Sequence, residues 1–196
     1  MARRTKDDAD KTRASILANA ADLFETAGYS ATSIDDICIR SGTTKGALFH
    51  HFKSKKALFL EIWTRLQLEM VAAAQAGAVA GMNADDPYTG FLAGCRVYLE
   101  WTTRVDYRTI VLVDGPSVLG QASWRRLDYE LGLQNMRDSV KHLVNQGLIA
   151  ADHAEAMSIL FQGALNGIGY SILHQPPPVT LDEAYAAFES MVRSVR

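Results

Sequence analysis

The sequence predicts an all-α fold, and three features carry that expectation. Apolar residues recur every three or four positions over long stretches. Strand-like alternation is scarce, and residues 110–113 form the one β-branched cluster. Glycine or proline punctuates the ends of several periodic stretches, at Gly28, Gly42, Gly147 and prolines 176–178. The pattern predicts a small helix-turn-helix domain over residues 1–54, preceded by a basic arm, and a larger helical domain over 55–196 entered through a long helix.

Over residues 12–27, Ile16, Leu17, Ala20, Leu23, Phe24 and Ala27 share one face, and Gly28 supplies a stop. Ser33 reads as an N-cap, with Asp35 and Asp36 in the positive first turn and Ile34 and Ile37 pointing inward. Gly42 ends this short helix. Thr43 or Thr44 caps a second one that runs to His51 or Phe52, and Lys53-Ser54 breaks the chain again. A short helix, a glycine turn and another short helix make a helix-turn-helix. Lys55 opens a long helix carrying Leu58, Ile62, Leu66 and Met70.

The second short helix has an unusual outer face. At about 100° per residue, Gly46 and His50 lie about 160° around from Leu48. Lys45, Gly46, Ala47, Phe49 and His50 therefore face outward. Gly46 costs about 1 kcal/mol of helix stability relative to Ala, which close approach of another molecule would justify. The major groove of DNA is one such partner.

Beyond residue 80 the loop-like run 81–87 leads to a helix from about residue 88 to 103. Asp114-Gly115-Pro116 reads as a turn, and residues 124–146 read as a helix ended by Gly147. Met157, Leu160, Phe161, Leu165, Ile168 and Ile172 form one dense apolar stripe. Tyr185, Phe188, Met191, Val192 and Val195 form a second, and prolines 176–178 separate them. Two such stripes either complete a core or pair with a second copy. Gly163 and Gly167, four apart, would let another helix come close.

Bulk properties narrow the function classes. The chain has 196 residues, 48% of them hydrophobic and 21% charged, and no apolar run reaches bilayer-spanning length. The first residues carry no apolar stretch behind their basic ones, so no secretory signal is expected. Cys38 and Cys95 are far apart without metal spacing, as in a reducing cytoplasm; they read as core thiols, a redox switch being the alternative. Net charge is −2, yet residues 1–60 hold ten Lys/Arg against seven Asp/Glu, so the basic end is N-terminal. No Gly-rich phosphate loop, GxSxG elbow or HExxH cluster occurs, so neither an enzyme nor a metal or cofactor site is expected. A helical protein-binding adaptor would require the basic outer face to be accidental.

The stretch ILANAADLFETAGYSATSIDDICIRSGTTKGALFHHFKSKKALFLEIW, in a match that covers roughly residues 10 to 63, resembles the DNA-binding domain of the tetracycline-repressor (TetR-type) family of transcriptional regulators. The specific core is G-x-x-K-G-A-L-F-H-H-F-x-S-K-x-x-L, from Gly42 to Leu58. The resemblance implies a homodimeric, cytoplasmic regulator of double-stranded DNA. Its C-terminal domain would dimerise through the last two helices and bind a small effector. Residues 107–120, YRTIVLVDGPSVLG, resemble a C-terminal type found in one branch of these regulators. The family usually has a tyrosine at the position of Phe49, where its hydroxyl binds phosphate; phenylalanine can only pack there.

The DNA-binding candidates are therefore Ser33, Thr44, Lys45, Gly46, Ala47, Phe49, His50, His51 and Lys55, with Arg3 and Arg4 in the arm. Lys45 sits near a helix start, where the dipole disfavours it, which favours a groove contact. His50 would meet a base edge or a phosphate, and His51 a phosphate or the helix end. Lys55 could offer its backbone N–H and its ammonium to phosphate. Ser33 is either a plain cap or a phosphate donor. The effector candidates are Trp63, Leu66, Met70, Phe91, Cys95, Tyr98, Thr102 and Trp124, which would suit an apolar or aromatic ligand, although aromatics at helical spacing are more often plain core. The expected dimer seam is Met157, Phe161, Leu165, Ile168, Ile172, Tyr185, Phe188 and Val192.

Overall fold

The computed structural model describes residues 6–174 and 176–195. Arg3 and Arg4 lie outside them. Helix α1 spans Lys6–Ala31 and is broken at Gly28, whose φ of 79° and ψ of 163° favour glycine. Helices α2 (Ile34–Ser41) and α3 (Lys45–His51) follow, then the long α4 (Lys55–Ala80). Next come α5 (Thr89–Thr103), a π-helix over Tyr107–Asp114, α6 (Gly115–Leu119), α7 (Gln121–Asn145), α8 (Ala154–Ser171) and α9 (Leu181–Ser194). The all-α class holds.

Local chemistry accounts for the short elements. Ser33 and Asp36 form a capping box: the Asp36 N–H donates to Ser33 Oγ at 3.1 Å and the Ser33 N–H to Asp36 Oδ2 at 2.8 Å. Gly42 ends α2 at φ 63°, and the Thr43 N–H reaches back to the Cys38 carbonyl at 2.9 Å, a Schellman closure. Thr44 rather than Thr43 caps α3, accepting from the Ala47 N–H at 3.2 Å. Thr180 and Glu183 repeat the capping box before α9.

The expected turn at 114–116 does not form. Gly115 is helical, with φ −48° and ψ −54°, and Pro116 lies in the first turn of α6, where its missing N–H is not needed. The β-branched run 110–113 lies in the π-helix, in which Ile110, Val111 and Leu112 are buried. A buried helical face and a buried strand share this composition, and packing decided between them.

Packing divides the described chain into two units, and not at residue 54. The first holds the described residues up to Leu66 together with Val105–Gln121; the second holds Gln67–Arg104 and the described residues from Ala122 onward. The reason is a contact between residues far apart in sequence. The Asp114 carboxylate accepts the Tyr29 N–H at 2.7 Å, 85 positions away in sequence, and the π-helix packs on α1. In the first unit Phe24, Tyr29 and Phe59 meet edge-on or tilted, with centroids 5.1–5.6 Å apart.

In the second unit one core joins α5, α7, α8 and α9. Phe161 touches Phe91 and Phe188 at ring centroids of 5.4 and 6.0 Å. Four residues of the expected dimer seam lie inside that core. Phe161, Leu165, Phe188 and Val192 are buried there, and Met157, Ile168 and Tyr185 pack against it while keeping part of their surface exposed. Ile172 is half-buried at the end of α8. What α8 leaves outside is Ile159, Leu160, Gly163 and Gly167. Among the described residues no helix is long and apolar enough to cross a membrane.

Candidate nucleic-acid interface and cavity

Helix α3 is held by a single buried side chain, Leu48, with no exposed surface, and by Phe52 just beyond its end. Lys45, Gly46, Phe49 and His50 are exposed, Phe49 at 48%. Ala47 and His51 are half-buried, and the His50 and His51 rings meet edge-on at 5.4 Å. A Cβ added at Gly46 would meet only Thr44 Oγ1, at 3.9 Å. The protein's own packing therefore does not require glycine there; its lack of a side chain flattens the outer surface.

Lys45 pairs with Asp35 across α2 and α3 at 2.8 Å, and that hydrogen bond raises its pKa above the ordinary lysine value. Both side chains are more than half exposed, so the pair is weak and phosphate can replace the carboxylate. Ser33 uses its hydroxyl in both directions, donating to Asp36 Oδ2 at 2.6 Å and accepting the Asp36 N–H. That bonding, first through the Ser33 side chain and then its backbone, holds the Asp36 carboxyl below the usual range.

Lys55 differs from its expected role. Its ammonium donates to the carbonyls of Tyr29 at 2.8 Å and Thr32 at 2.7 Å, and lies 4.0 Å from the centre of the Tyr29 ring. It ties the turn at 28–32 to α4 instead of pointing at solvent. The missed signal is positional: Gly28 breaks α1 and leaves carbonyls in need of a donor. Asp114 holds the same turn by the Tyr29 N–H.

The second unit contains a cavity of about 540 Å³ between the later part of α4, the start of α5, α7 and α8. This is ligand-sized. Met70, Phe91, Cys95 and Tyr98 line it, and Trp63, Leu66, Thr102 and Trp124 do not. Trp63 is fully buried in the first unit, its Nε1 without a hydrogen-bond partner among the described residues. Leu66 is buried in the same unit. Thr102 donates to the Leu99 carbonyl at 2.6 Å, and Trp124 packs edge-on against Tyr170. Polar residues of the wall went unnoticed in the sequence: Gln75, Asn135, Asp138, Ser139 and Gln162. Gln162 had a signal, a buried amide interrupting the apolar stripe of α8. Cys38 and Cys95 are buried free thiols. Among the described residues no group of three or more His, Cys, Asp and Glu is placed to hold a metal ion.

Residues 16–62 match the family model for bacterial regulatory proteins of the tetR family, and residues 88–195 match a tetracyclin repressor-like C-terminal domain. Over 193 aligned residues the chain is 28% identical to the HTH-type transcriptional regulator AcrR of Shigella flexneri, covering 90% of this chain and 85% of that protein. Over 152 residues it is 41% identical to the transposon Tn10 TetC protein of Escherichia coli, covering 78% and 75%. The crystal structure of a TetR-family transcriptional regulator from Pectobacterium atrosepticum matches it with a TM-score of 0.79 and 31% identity, covering 98% of this chain and 97% of that one.

Proposed function

This chain belongs to the tetR family of bacterial regulatory proteins and is a DNA-binding transcriptional regulator, and we propose that it works as a cytoplasmic homodimeric repressor released from DNA by a small effector. The observation that carries the DNA reading is the outer face of α3. One buried residue anchors the helix, and Lys45, Gly46, Phe49 and His50 are left to the major groove. Lys45 and His50 read base edges or phosphates, and Gly46 lets the backbone approach. The early N–H groups of α4, beginning at Lys55, lack intrahelical acceptors and suit a phosphate. Ser33 acts chiefly as the cap of α2.

The dimer forms through the outer faces of α8 and α9. Ile159 and Leu160 are 44% and 59% exposed, Met191 is 37% exposed, and a Cβ at Gly163 or Gly167 would meet nothing within 4 Å. A stripe of this kind admits a second helix closely. Two-fold symmetry then demands a near-palindromic operator, with half-sites one helical turn or more apart.

The effector occupies the 540 Å³ cavity. Release requires only that the ligand prefer the DNA-incompetent state; DNA must then weaken the ligand by the same factor. Helix α4 is the continuous element available for this, since it begins at Lys55 and supplies Met70, Ala74 and Ala78 to the cavity. Selecting genomic fragments on immobilised protein, followed by gel shift, tests the DNA reading. Lys45→Ala and His50→Ala should each weaken the selected site by about 1–3 kcal/mol, because a good base contact is worth that much. Equal binding by both variants would rule out this face.

A further inference from the structure

The charged groups of the cavity wall are one-sided. None of the described residues that line it is a lysine or arginine, and its carboxylates are Asp86 and Asp138. Arg193 neutralises Asp86 at 2.8 Å. Asp138 accepts from Gln134 Nε2 at 3.3 Å, and among the described residues it has no ion-pair partner. His142, four positions beyond Asp138 on α7, is the only basic side chain of the described lining.

The neutral groups are partly tied to one another and to neighbours. The Tyr98 hydroxyl donates to Asn166 Oδ1 at 2.8 Å, and Gln162 Nε2 donates to the same oxygen at 2.8 Å. Gln75 Nε2 donates to Asn135 Oδ1 at 3.0 Å, and the Ser139 hydroxyl to the Asn135 carbonyl at 2.9 Å. Gln75 and Gln162 each keep a second N–H and Asn135 keeps both of its own, so the neutral wall offers the side-chain carbonyls of Gln75 and Gln162 and the hydroxyl oxygens of Tyr98 and Ser139 beside these amide donors. The floor between them is apolar, with Met70, Phe91, Met136 and Leu165 buried there.

We infer that the cavity takes a protonated amine carried on an apolar body and rejects a carboxylate of the same size. This rests on the reading of the cavity as the effector site. An ammonium group meets the Asp138 carboxylate and the lone pairs of Gln75, Gln162, Tyr98 and Ser139, and charge-assisted hydrogen bonds are about twice as strong as neutral ones. A carboxylate would lose its water and find no cation. An alcohol is tolerated, through the remaining amide N–H groups, without the charge term. The electrostatics at Tyr98 point the same way. Burial pushes its hydroxyl well above the ordinary value, and the nearby Asp128 carboxylate and Tyr170 push it further. A second negative charge is therefore unwelcome there.

Calorimetric titration of the full-length protein with decylamine, 1-decanol and decanoate tests this, since the three share one chain and differ in head group. Decylamine should bind at least about tenfold more tightly than decanol, and decanoate most weakly. Asp138→Lys, at an exposed position on α7, should reverse the order of amine and carboxylate, and Asp138→Asn should reduce the amine's advantage over the alcohol. Decanoate binding as tightly as decylamine, an order unchanged in Asp138→Lys, or no binding by any of the three would overturn the assignment. The effector reading fails separately. If decylamine binds but leaves the affinity for the selected DNA fragment unchanged, the ligand class stands and release does not; if decanoate binds and releases DNA, release stands and the class falls.

Discussion

Helices α3 and α8 use apolar residues in opposite ways. Helix α3 fully buries only Leu48 and leaves Lys45, Gly46, Phe49 and His50 exposed. Helix α8 is apolar on both sides: Phe161 and Leu165 are buried, while Ile159 and Leu160 are exposed. A helix with one apolar anchor declares its outer face in the sequence. A helix that is apolar all round does not, because periodicity cannot say which of two apolar faces meets the chain's own core. The exposed face was visible in the sequence on α3, whereas on α8 the sequence did not separate buried Phe161 and Leu165 from exposed Ile159 and Leu160.

Neighbouring residues on α8 sharpen this contrast most. Phe161→Asp puts a carboxylate among Phe91, Phe188 and Leu165 and should cost about 3–5 kcal/mol, seen as loss of cooperative unfolding in urea. Leu160→Asp should keep the unfolding curve of a folded monomer and abolish self-association in sedimentation. If Leu160→Asp unfolds the chain while Phe161→Asp merely separates subunits, the two faces have been assigned in reverse.

The next effect concerns polar tips that point inward. Removing the Lys55 ammonium leaves the Tyr29 and Thr32 carbonyls without their donor, so Lys55→Ala should lower stability by about 1–3 kcal/mol. The salt dependence of DNA binding should barely change. A slope reduced by about one would return the ammonium to the phosphates.

On α3 itself, Phe49→Tyr adds a hydroxyl at an exposed position where the family usually carries one. Affinity for all DNA sequences should rise by about 0.5–1.5 kcal/mol, the net worth of one hydrogen bond, with no change in melting temperature. Unchanged affinity in anisotropy titrations would mean that this position faces away from the backbone.

The smallest effect is shared by both regions. Asp36 in α2 and Glu183 at the start of α9 have folded pKa values below their ordinary ones, through bonds to Ser33 and to Thr180. Groups so lowered stabilise the fold above the ordinary carboxylate range, and that contribution is lost as pH falls through the lowered values. Melting temperature should therefore decline on acidification, and less steeply in Asp36→Asn and Glu183→Gln. Parallel acid limbs in wild type and variants would rule out the caps as its source.

Most of the first unit was legible, because its signals are local. Gly28, Ser33, Gly42 and Thr44 each act on residues within four positions. What was not legible depends on distant partners. Asp114 reaches Tyr29 from 85 positions away and draws Val105–Gln121 into the first unit, and no pattern near residue 114 announces it. The cavity obeys the same rule. Met70, Phe91, Cys95 and Tyr98 were drawn from aromatic and apolar spacing, which finds a core and a cavity wall equally. The same spacing therefore also brought in Trp63, Leu66, Thr102 and Trp124, which do not line it. The polar residues that give the wall its character lie on several helices, and only their packing brings them together.

Whether the outer face of α3 reads DNA is decided by hydroxyl-radical footprinting on a fragment selected from genomic DNA. The wild type should protect two symmetry-related segments one helical turn or more apart. The Lys45→Ala/His50→Ala double variant, with an unchanged melting temperature, should lose that pattern at the same protein concentration. An identical footprint from the double variant, at equal affinity, would refute the assignment of this face.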